Sequence, residues 1–319
     1  MKAFVYNNKS PGGKLHRRDL DTPLPRAGEV LVEVRAVSVN AADYRSMKMG
    51  IIPQGGVFGA DIAGRVAAVG PGVSSFQVGE NVVCDNSGHN FGGFAEYAAV
   101  KESVLARMPA GLSHETCAAV PLASVTALQG LRKYGGDLRG KAVLINGAAG
   151  GVGSFAVQLA KFFGADVTGA CGSANVERVK ALGADRVIDY TETPLTELAS
   201  RKDIPSRYDL ILGVHGNYGL GTYRKLLAPA GKYVMVGGAL PQVFRSLLLG
   251  PLYSFGNKKL LSLAARPAAD DLKFVLSLIA DGAVSPLIER VYPFEEIPEA
   301  VTRAAGGHAW GKLVIAVRP

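Results

Sequence analysis

The sequence predicts an α/β protein with two domains, a small β-barrel and a doubly wound parallel sheet. Its 319 residues are too many for one ordinary core and suit two domains. Short strands separated by glycine turns fill the first hundred residues, and strands alternate with helices from Lys141 onward. Because this alternation is typical of parallel sheets, we expect the second domain to be doubly wound.

The strands of the first domain follow from alternating polarity. The stretch "KAFVY" follows Met1 directly, and "EVLVEVRAVSVN" alternates apolar and polar residues as a half-buried strand does. Two further strands flank the turn-rich "GPGVSSFQVGE", and "GGFAEYAAV" gives another. These elements predict a first domain over residues 1–115.

Helical periodicity begins with "SHETCAAVPLASVTALQGLRKY", where Ser113 can cap a helix. Beyond it, the strands "KAVLIN" and "DVTGAC" are each followed by a helix, and "RVIDY", "DLILGV" and "KYVMVGG" are further strands. We assign residues 116–245 to the parallel-sheet domain. Residues 246–319 are predicted to form a pocket or interface segment, then a strand, a helix and a strand that return to the first domain.

The composition is that of a globular protein, with 48% hydrophobic and 19% charged residues. The net charge of +8 suits nucleic acid, an anionic membrane or an anionic small ligand. Because lysine and arginine are scattered, we expect no nucleic acid partner. Cys84, Cys117 and Cys171 are far apart and form no CxxC pair, so they are predicted to be buried small hydrophobes. With no signal peptide before "KAFVY", we expect a soluble, cytoplasmic protein.

A glycine-rich loop lies between the strand "AVLIN" and the helix "SFAVQLAKFF", at Gly147–Gly153. A helix start offers unpaired N–H groups and a partial positive charge, which suit a pyrophosphate. Glycine and alanine admit the phosphates, and Gly153 lets the helix pack closely on the sheet. The loop therefore predicts a dinucleotide site, and a small-residue packing motif is the alternative.

The residues after the second strand indicate which dinucleotide binds. A site for NAD places an acid there to bind the ribose hydroxyls, but "DVTGAC" is followed by Gly172-Ser173-Ala174-Asn175. These small donors, with Arg178 one turn into the next helix, suit a 2′-phosphate. We therefore predict a preference for NADPH. Arg178 as a solvated helix residue is the alternative.

Motifs along nearly the whole chain resemble those of the zinc-independent quinone oxidoreductases of the medium-chain dehydrogenase/reductase superfamily. The matching pieces keep the family order; they are "SVNAADYR", "GADIAGRVAAVGPGVSSFQVGENVV", "GGFAEYAAV", "PLASVTALQGL", "GAAGGVGSFAVQLAK", "LGADRVIDY" and "HAWGKLVIAV". Within the family, the chain is most similar to the chloroplast-envelope quinone oxidoreductase-like and alkenal reductase branch. The resemblance implies a GroES-like β-barrel, a Rossmann domain, NADPH between them, and a homodimer.

The resemblance also implies which residues contact the nucleotide. Toward the phosphates and the nicotinamide it places Asn40, Arg45, Thr126, Gly150, Gly151, Val152, Gly237, Gly238, Gly311 and Lys312. Toward the adenosine end it places Ser173, Asn175 and Tyr190, beside Arg178. A sheet-edge aromatic without a ligand is the alternative for Tyr190.

The chain departs from its relatives at two places. Many close relatives carry Arg or Lys where this chain has Ala174, so the basic partner of a 2′-phosphate must be Arg178 or Arg45. Zinc-dependent relatives carry a Cys near Asn40 and a His-Glu pair at Ala60-Asp61, and neither set is present. We therefore expect no metal site, since Cys84 and His89 alone do not make one.

Without zinc, acceptors that are already electrophilic are favoured, namely quinones and α,β-unsaturated carbonyls. Tyr44, beside Asn40, is the candidate to orient the carbonyl or deliver a proton, so both are predicted as catalytic. Alternatively, Tyr44 only packs in the pocket and solvent supplies the proton. Two other functions stay open: an enoyl-thioester reductase, and a non-catalytic NADPH-binding or RNA-associated protein.

One segment, 241–267, combines many leucines with Arg245, Lys258, Lys259 and Arg266, and it has no acid. Such a segment suits a pocket wall and subunit interface. It also suits weak contact with an anionic membrane surface, where lipophilic quinones dissolve.

Overall fold

A computed structural model describes residues 1–7, 14–200, 205, 207–215, 218–238, 240–307 and 309–318. The chain forms two compact units. The first comprises Met1–Val125 and Arg266–Pro319, and the second comprises Thr126–Ala265.

The amino-terminal part of the first unit is mainly strands. Its elements are β1 Lys2–Asn7, β2 Lys14–Asp19, β3 Glu29–Val39, α1 Ala41–Met49, β4 Asp61–Val69, β5 Asn81–Asp85, β6 Tyr97–Lys101, β7 Ala106–Arg107 and α2 His114–Ala118. Ser113 caps α2 as the sequence predicts, because its side chain accepts a hydrogen bond from the Thr116 N–H at 3.2 Å. The stretch with helical periodicity forms two helices, and the second begins at Pro121.

In the second unit, strands alternate with helices. The elements are α3 Pro121–Gly135, which begins in the first unit, and then β8 Ala142–Asn146, α4 Gly151–Phe162, β9 Asp166–Cys171, α5 Val176–Ala181, β10 Arg186–Asp189, β11 Tyr208–Gly213, α6 Leu220–Leu226, β12 Leu227–Met235, α7 Leu240–Tyr253 and β13 Lys259–Ser262. The strands are parallel in the order β10-β9-β8-β11-β12-β13. This is the 3-2-1-4-5-6 order of a doubly wound dinucleotide-binding sheet.

The chain then returns to the first unit. The last elements are α8 Ala269–Ala280, β14 Ile288–Pro293, α9 Ile297–Ala305 and β15 Lys312–Ala316. Strand β15 pairs antiparallel with β3, placing Leu313 opposite Val39. The strand-rich sheet therefore has the order β14-β15-β3-β4-β5-β7, and β6 also pairs with β3. The predicted fold class, α/β with a strand-rich unit and a doubly wound parallel sheet, is confirmed.

The junctions between the units differ from the positions that the sequence suggested, 115/116 and 245/246. The first falls at 125/126, because α2 contacts β3 and β4 of the strand-rich unit. The second falls at 265/266, because β13 extends the parallel sheet beside β12. The sequence of a short apolar strand such as β13 does not indicate which sheet it joins.

Each unit has its own apolar core. In the first, Phe58, Ile62 and Phe94 are completely buried. In the second, Leu144, Ile211 and Leu227 are completely buried. Each such side chain contributes roughly 1.5–3 kcal/mol to stability. Asn40 lies just beyond the end of β3, and the glycine loop lies just beyond the end of β8.

Candidate functional site

The glycine loop connects β8 to α4 in a conformation that larger residues do not allow. Gly147 has φ +90°, and a Cβ built there would lie 2.8 Å from the His215 Cβ. A Cβ on Gly153 would overlap the Gly147 carbonyl oxygen. The first turn of α4 thus packs directly on the backbone of the loop. Gly153 permits this close approach to the glycine loop, whereas the sequence predicts its close contact to be with the sheet.

The amino end of α4 is open. Its N-cap is Gly150, and among the described residues no side chain caps the helix. A Cβ on Gly150 would meet the Gly147 oxygen at 3.6 Å, an ordinary contact, and no other atom of the described chain within 4 Å. The backbone N–H groups of Gly151 and Val152 begin the helix at the positive end of its dipole. This geometry has space and donors for a diphosphate.

A polar corner follows β9. Residues Ser173–Asn175 form a short turn, and the Arg178 guanidinium folds back over it. Arg178 donates to the Ala174 carbonyl oxygen at 2.7 Å and to the Asn175 Oδ1 at 3.0 Å. The structure therefore brings together three of the four residues predicted for the adenosine end. Tyr190, the fourth, is 39% exposed, and its hydroxyl lies 3.4 Å from a Cβ built on Gly172.

The same corner holds a carboxylate that sequence reasoning missed. The Ser173 and Thr191 hydroxyls lie 2.6 Å apart, and Thr191 donates its N–H and hydroxyl to Asp189 Oδ1 at 2.9 and 2.6 Å. Hydrogen bonds from Ser173 and Thr191 lower the pKa of Asp189, so it is ionised at neutral pH. The NADPH prediction depends on the end of the second strand, where the sequence has no acid. Asp189 ends the third strand, and the register places it beside Cys171, the last residue of β9.

In the first unit, a buried carboxylate gathers four donors. Asp61 is completely buried. Its Oδ2 accepts from Ser38 Oγ at 2.9 Å, Asn40 Nδ2 at 2.8 Å and Lys312 Nζ at 3.1 Å. Its Oδ1 accepts from the Leu122 N–H at 2.8 Å. The signal that would have found it is an acid at the start of the mostly apolar strand "DIAGRVAAV", since a buried acid requires partners.

Asn40 and Lys312, predicted from distant motifs, meet in this network. Lys312 Nζ donates to Asn40 Oδ1 at 2.6 Å, and the Lys312 side chain is only 3% exposed. Gly311 makes this possible with φ +72°, since a Cβ there would overlap the Leu287 carbonyl oxygen. Asn40 Nδ2 donates to the Ser38 carbonyl oxygen at 3.3 Å as well as to Asp61. Both amide hydrogens of Asn40 are thereby used.

Two further buried carboxyls flank the network. Asp43 accepts the N–H groups of Asn40 at 2.7 Å and Gly59 at 2.9 Å. Burial, reinforced by the charge of Asp61, raises the pKa of Asp43 to about 7. Burial and the same charge raise the pKa of Asp85 to about 7. Both groups therefore titrate near neutral pH, and the cause is mainly the cost of burying a negative charge.

The other predicted residues lie apart from these hydrogen bonds. Tyr44 packs against the core of the first unit. The Arg45 guanidinium carbon is 6.0 Å from the centroid of the Tyr44 ring. Thr126 is buried in α3. Gly237 and Gly238 follow β12, and Gly238 has φ +124°.

Comparison with known proteins decides the family. A profile described as "Alcohol dehydrogenase GroES-like domain" matches residues 26–110, and one described as "Zinc-binding dehydrogenase" matches residues 182–315. The Chloroplast envelope quinone oxidoreductase homolog of Arabidopsis thaliana is 32% identical over 326 residues, covering 99% of this chain and 98% of that protein. The chain belongs to the quinone oxidoreductase-like medium-chain dehydrogenases/reductases.

Two other members of this family are similar over the whole chain. The chloroplastic NADPH-dependent alkenal/one oxidoreductase of Arabidopsis thaliana is 31% identical over 331 residues, covering 99% of this chain and 79% of that protein. The solved quinone oxidoreductase from Coxiella burnetii superposes with a TM-score of 0.86 at 25% identity, covering 99% of this chain and 98% of that one. The resemblance stated from the motifs is thus confirmed.

The residues of this medium-chain dehydrogenase/reductase do not fit the zinc ion that the name of one profile suggests. At the position where zinc-dependent relatives carry their His-Glu pair, Asp61 accepts from the Lys312 ammonium, and a second cation there would face a buried positive charge. The Cys84 thiol is completely buried, and burial raises its pKa well above the usual range, which disfavours a thiolate ligand. His89 Nε2 lies 3.0 Å from Glu29 Oε1.

Proposed function

We propose that the protein is an oxidoreductase that reduces quinones or α,β-unsaturated carbonyls with hydride from a nicotinamide nucleotide, NADPH in preference to NADH. The observation that carries the proposal is the open, glycine-lined amino end of α4 at the carboxyl edge of the parallel sheet. The names of relatives as quinone and alkenal/one oxidoreductases support the acceptor class.

In this proposal the second unit binds the nucleotide. The N–H groups of Gly151 and Val152 donate to the diphosphate, and Gly150 keeps their approach free of side-chain atoms. Ser173 and Asn175 hold the 2′-phosphate of the adenosine ribose. The residues assigned to the remaining contacts are Arg178 for the 2′-phosphate, Tyr190 for the adenine side, and Thr126, Gly237 and Gly238 for the nicotinamide half. When bound, the reduced nucleotide supplies the hydride.

Residues of the first unit carry the remaining assignments, namely Asn40, Arg45, Gly311 and Lys312 for the nicotinamide half and the phosphates. Asn40 has both amide hydrogens engaged, so it serves as an acceptor through Oδ1 rather than as a donor to a developing oxyanion. Two of the three Lys312 N–H groups bond Asn40 and Asp61, which leaves one for a ligand oxygen. Gly311 positions this lysine, and Arg45 provides a further positive charge for the phosphates.

Reduction places negative charge on the oxygen of the acceptor, and that charge needs a donor or a proton. Tyr44 is the proposed donor, with its hydroxyl orienting the carbonyl or delivering the proton. Because water also protonates an enolate or a hydroquinone anion, we expect Tyr44→Phe to lower the rate rather than abolish it.

The negative charge of Asp189 opposes the binding of a 2′-phosphate and therefore the preference for NADPH. Arg178 attracts a 2′-phosphate, whereas ionised Asp189, one hydrogen bond beyond Ser173, repels it. Arg178 contacts the turn itself, and Asp189 acts from the adjacent strand. We therefore propose a preference for NADPH that is moderate in size.

The test is steady-state oxidation of NADPH and of NADH against a panel of a small quinone, an enone, a saturated ketone and an enoyl thioester. We expect turnover of the quinone or the enone, a lower KM for NADPH than for NADH, and no turnover of the ketone. Nucleotide binding without any turnover would overturn the proposed reaction. Efficient turnover of the thioester alone would replace it with enoyl-thioester reduction.

The homodimer and the cytoplasmic location stay predictions. Sedimentation velocity of the purified protein tests the first, and microscopy of the tagged protein in its host tests the second.

A further inference from the structure

Helix α7 exposes its apolar face and buries its polar one. Gln242 and Ser246 are each 4% exposed, and Gly250 follows them one turn later on the buried side. Phe244, Leu248 and Leu252 are 57%, 73% and 70% exposed. The two rows are offset by two residues, or about 200° around a helix, so they lie on opposite faces.

The orientation of α7 is fixed by specific contacts of its buried row. Gln242 Nε2 donates to the Tyr218 carbonyl oxygen at 3.1 Å. A Cβ on Gly250 would lie 3.0 Å from the Leu260 carbonyl oxygen, so the helix backbone sits close against β13. Turning the helix to bury its leucines would break the hydrogen bond from Gln242 to Tyr218. It would also bring larger side chains against the Leu260 carbonyl oxygen, where only Gly250 fits. The exposed apolar face is therefore a property of the fold.

We name the α7 surface after its exposed apolar side chains, which are Phe244, Leu247, Leu248, Leu252 and Phe255. Soluble proteins rarely expose so many contiguous large apolar groups unless a partner covers them. Within the described residues no helix is long and apolar enough to cross a bilayer, and α7 has 14 residues. A helix of this kind lies on a membrane rather than through it.

The charges around the α7 surface have one sign. From Leu210 to Ala269 the sequence contains no aspartate or glutamate. The same stretch contains seven basic residues, which are Arg224, Lys225, Lys232, Arg245, Lys258, Lys259 and Arg266. The partner that this stretch complements is therefore negatively charged.

Several of these cations gather at the carboxyl end of α7. The Arg224 guanidinium carbon lies 3.6 Å from the centroid of the Phe255 ring, and its Nε donates to the Tyr253 carbonyl oxygen at 3.1 Å. Lys258 Nζ donates to the Arg224 carbonyl oxygen at 3.0 Å. Burial lowers the pKa of Lys258, and the charges of Arg207 and Arg224 lower it further.

In the part of the chain that the structure describes, no carboxylate neutralises the basic residues near the carboxyl end of α7. There, none of Arg207, Arg224, Lys225, Lys258 and Lys259 forms an ion pair with a carboxylate. A set of like charges held together without counterions is stabilised when an anionic surface approaches it.

We propose that the α7 surface docks on a bilayer containing anionic lipids, with the leucines among the acyl chains near the headgroups and the basic residues on lipid phosphates. A second copy of the chain fits less well, since a two-fold interface would place Arg245 and its neighbours against the same positive charges. Nucleic acid fits less well because it offers no apolar layer for Leu248 and Leu252. The proposal is independent of the proposed reaction.

The test is flotation of the full-length protein with vesicles of phosphatidylcholine alone, or with phosphatidylglycerol as about one third of the lipid. The protein should float with the anionic vesicles at 0.1 M salt, and binding should fall at 0.5 M salt. Each basic residue near the surface contributes about fivefold in affinity, so Arg245→Glu with Lys259→Glu should weaken binding at least about 25-fold.

The apolar contribution is tested with Leu248→Ser and Leu252→Ser, and the matched control is Leu24→Ser at an 86% exposed leucine of the other unit. The α7 variants should lose vesicle binding, while the control should keep it. Circular dichroism and turnover of a water-soluble quinone show whether each variant is folded and active.

Three results would overturn the proposal. The first is no flotation of the wild type with anionic vesicles at 0.1 M salt. The second is equal binding by wild type and all α7 variants. The third is a dimer in sedimentation velocity that the Leu248→Ser variant converts to monomers, in a protein that does not float; a second copy would then cover the surface.

Discussion

The buried pair of Asp61 and Lys312 should be strongly coupled in stability, and Asp61→Asn is the perturbation that reveals it. The substitution keeps the size of the side chain but removes its charge. The carboxylate accepts from Ser38 Oγ, Asn40 Nδ2, Lys312 Nζ and the Leu122 N–H. An asparagine has one oxygen for these donors and turns its amino group toward the rest.

The expected cost follows from burial. Asp61 is completely buried and the Lys312 side chain is 3% exposed, so Asp61→Asn leaves a buried ammonium without the carboxylate that neutralises it. Breaking a buried ion pair in this way costs roughly 3–5 kcal/mol. Lys312→Met, which removes the cation and keeps the aliphatic stem, should also destabilise. The double variant should lose at least ~2 kcal/mol less than the sum of the two single variants.

The assay is urea unfolding at pH 7 followed by the fluorescence of Trp310. This is the single tryptophan of the sequence, and it lies in the first unit next to Gly311. Its signal therefore reports on the unit that contains the ion pair. Far-ultraviolet circular dichroism of the same samples reports on both units together.

Additive losses of stability in the two single variants would contradict this coupling. If the double variant is destabilised by the sum of the two single variants, the Asp61 and Lys312 side chains do not stabilise each other. A loss below ~1 kcal/mol for Asp61→Asn would likewise show that this carboxylate is not the buried acceptor of four donors.

Three further predictions concern the nucleotide site and pH. Gly153→Ala places a methyl group into the Gly147 carbonyl oxygen, so the loop must shift; loss of a hydrogen bond to the charged diphosphate should lower nucleotide affinity about 10- to 100-fold by isothermal titration. Asp189→Asn removes a charge that repels a 2′-phosphate, so the ratio of KM for NADPH to KM for NADH should fall several-fold in steady-state kinetics. The buried Asp85 keeps its proton up to about pH 7, against an ordinary pKa of 3.8. The folded state therefore holds more protons than the unfolded state between these pH values, and the free energy of unfolding falls by up to about 1.4 kcal/mol per pH unit. Asp85→Asn should gain stability relative to wild type as the pH rises from 4 to 7 in urea titrations.

Matched controls separate these effects from general ones. Gly219 also precedes a helix and has no atom of the described chain within 4 Å of a built Cβ, so Gly219→Ala should keep nucleotide affinity. Glu192→Gln removes an exposed acid near the polar corner and should leave the KM ratio unchanged. Equal behaviour of a variant and its control would contradict the corresponding prediction.

Local sequence signals were sufficient for the parallel sheet and its glycine loop. A strand, a glycine run and a helix follow one another in the chain, so Gly150, Gly151 and Val152 are placed by neighbours in sequence. The cap at Ser113 is equally local. The glycine loop and the helix cap each depend on backbone geometry within a few residues. The residue types and their spacing in the sequence therefore indicate them directly.

The partners of Asp61 were beyond local reasoning. Asp61 and Lys312 are separated by 251 residues, and they meet because β3 pairs with β4 on one side and with β15 on the other. Asp189 shows the same limit, because only the register between β9 and β10 places it beside the end of β9. Strand pairing sets these contacts, and a single sequence does not state it.

The leucine-rich segment shows that hydrophobicity alone did not predict which face of a helix is buried. The leucines of α7 would ordinarily indicate the core side. Gln242 and Ser246 are buried instead, since the hydrogen bond to Tyr218 and the close approach to β13 turn the helix the other way.

The most direct test of the proposed function is a crystal structure of the protein with NADPH. We predict the diphosphate within hydrogen-bond distance of the Gly151 and Val152 N–H groups, with the 2′-phosphate beside Ser173 and Arg178. A nucleotide bound elsewhere, or side chains filling the space in front of α4 at saturating NADPH, would contradict it.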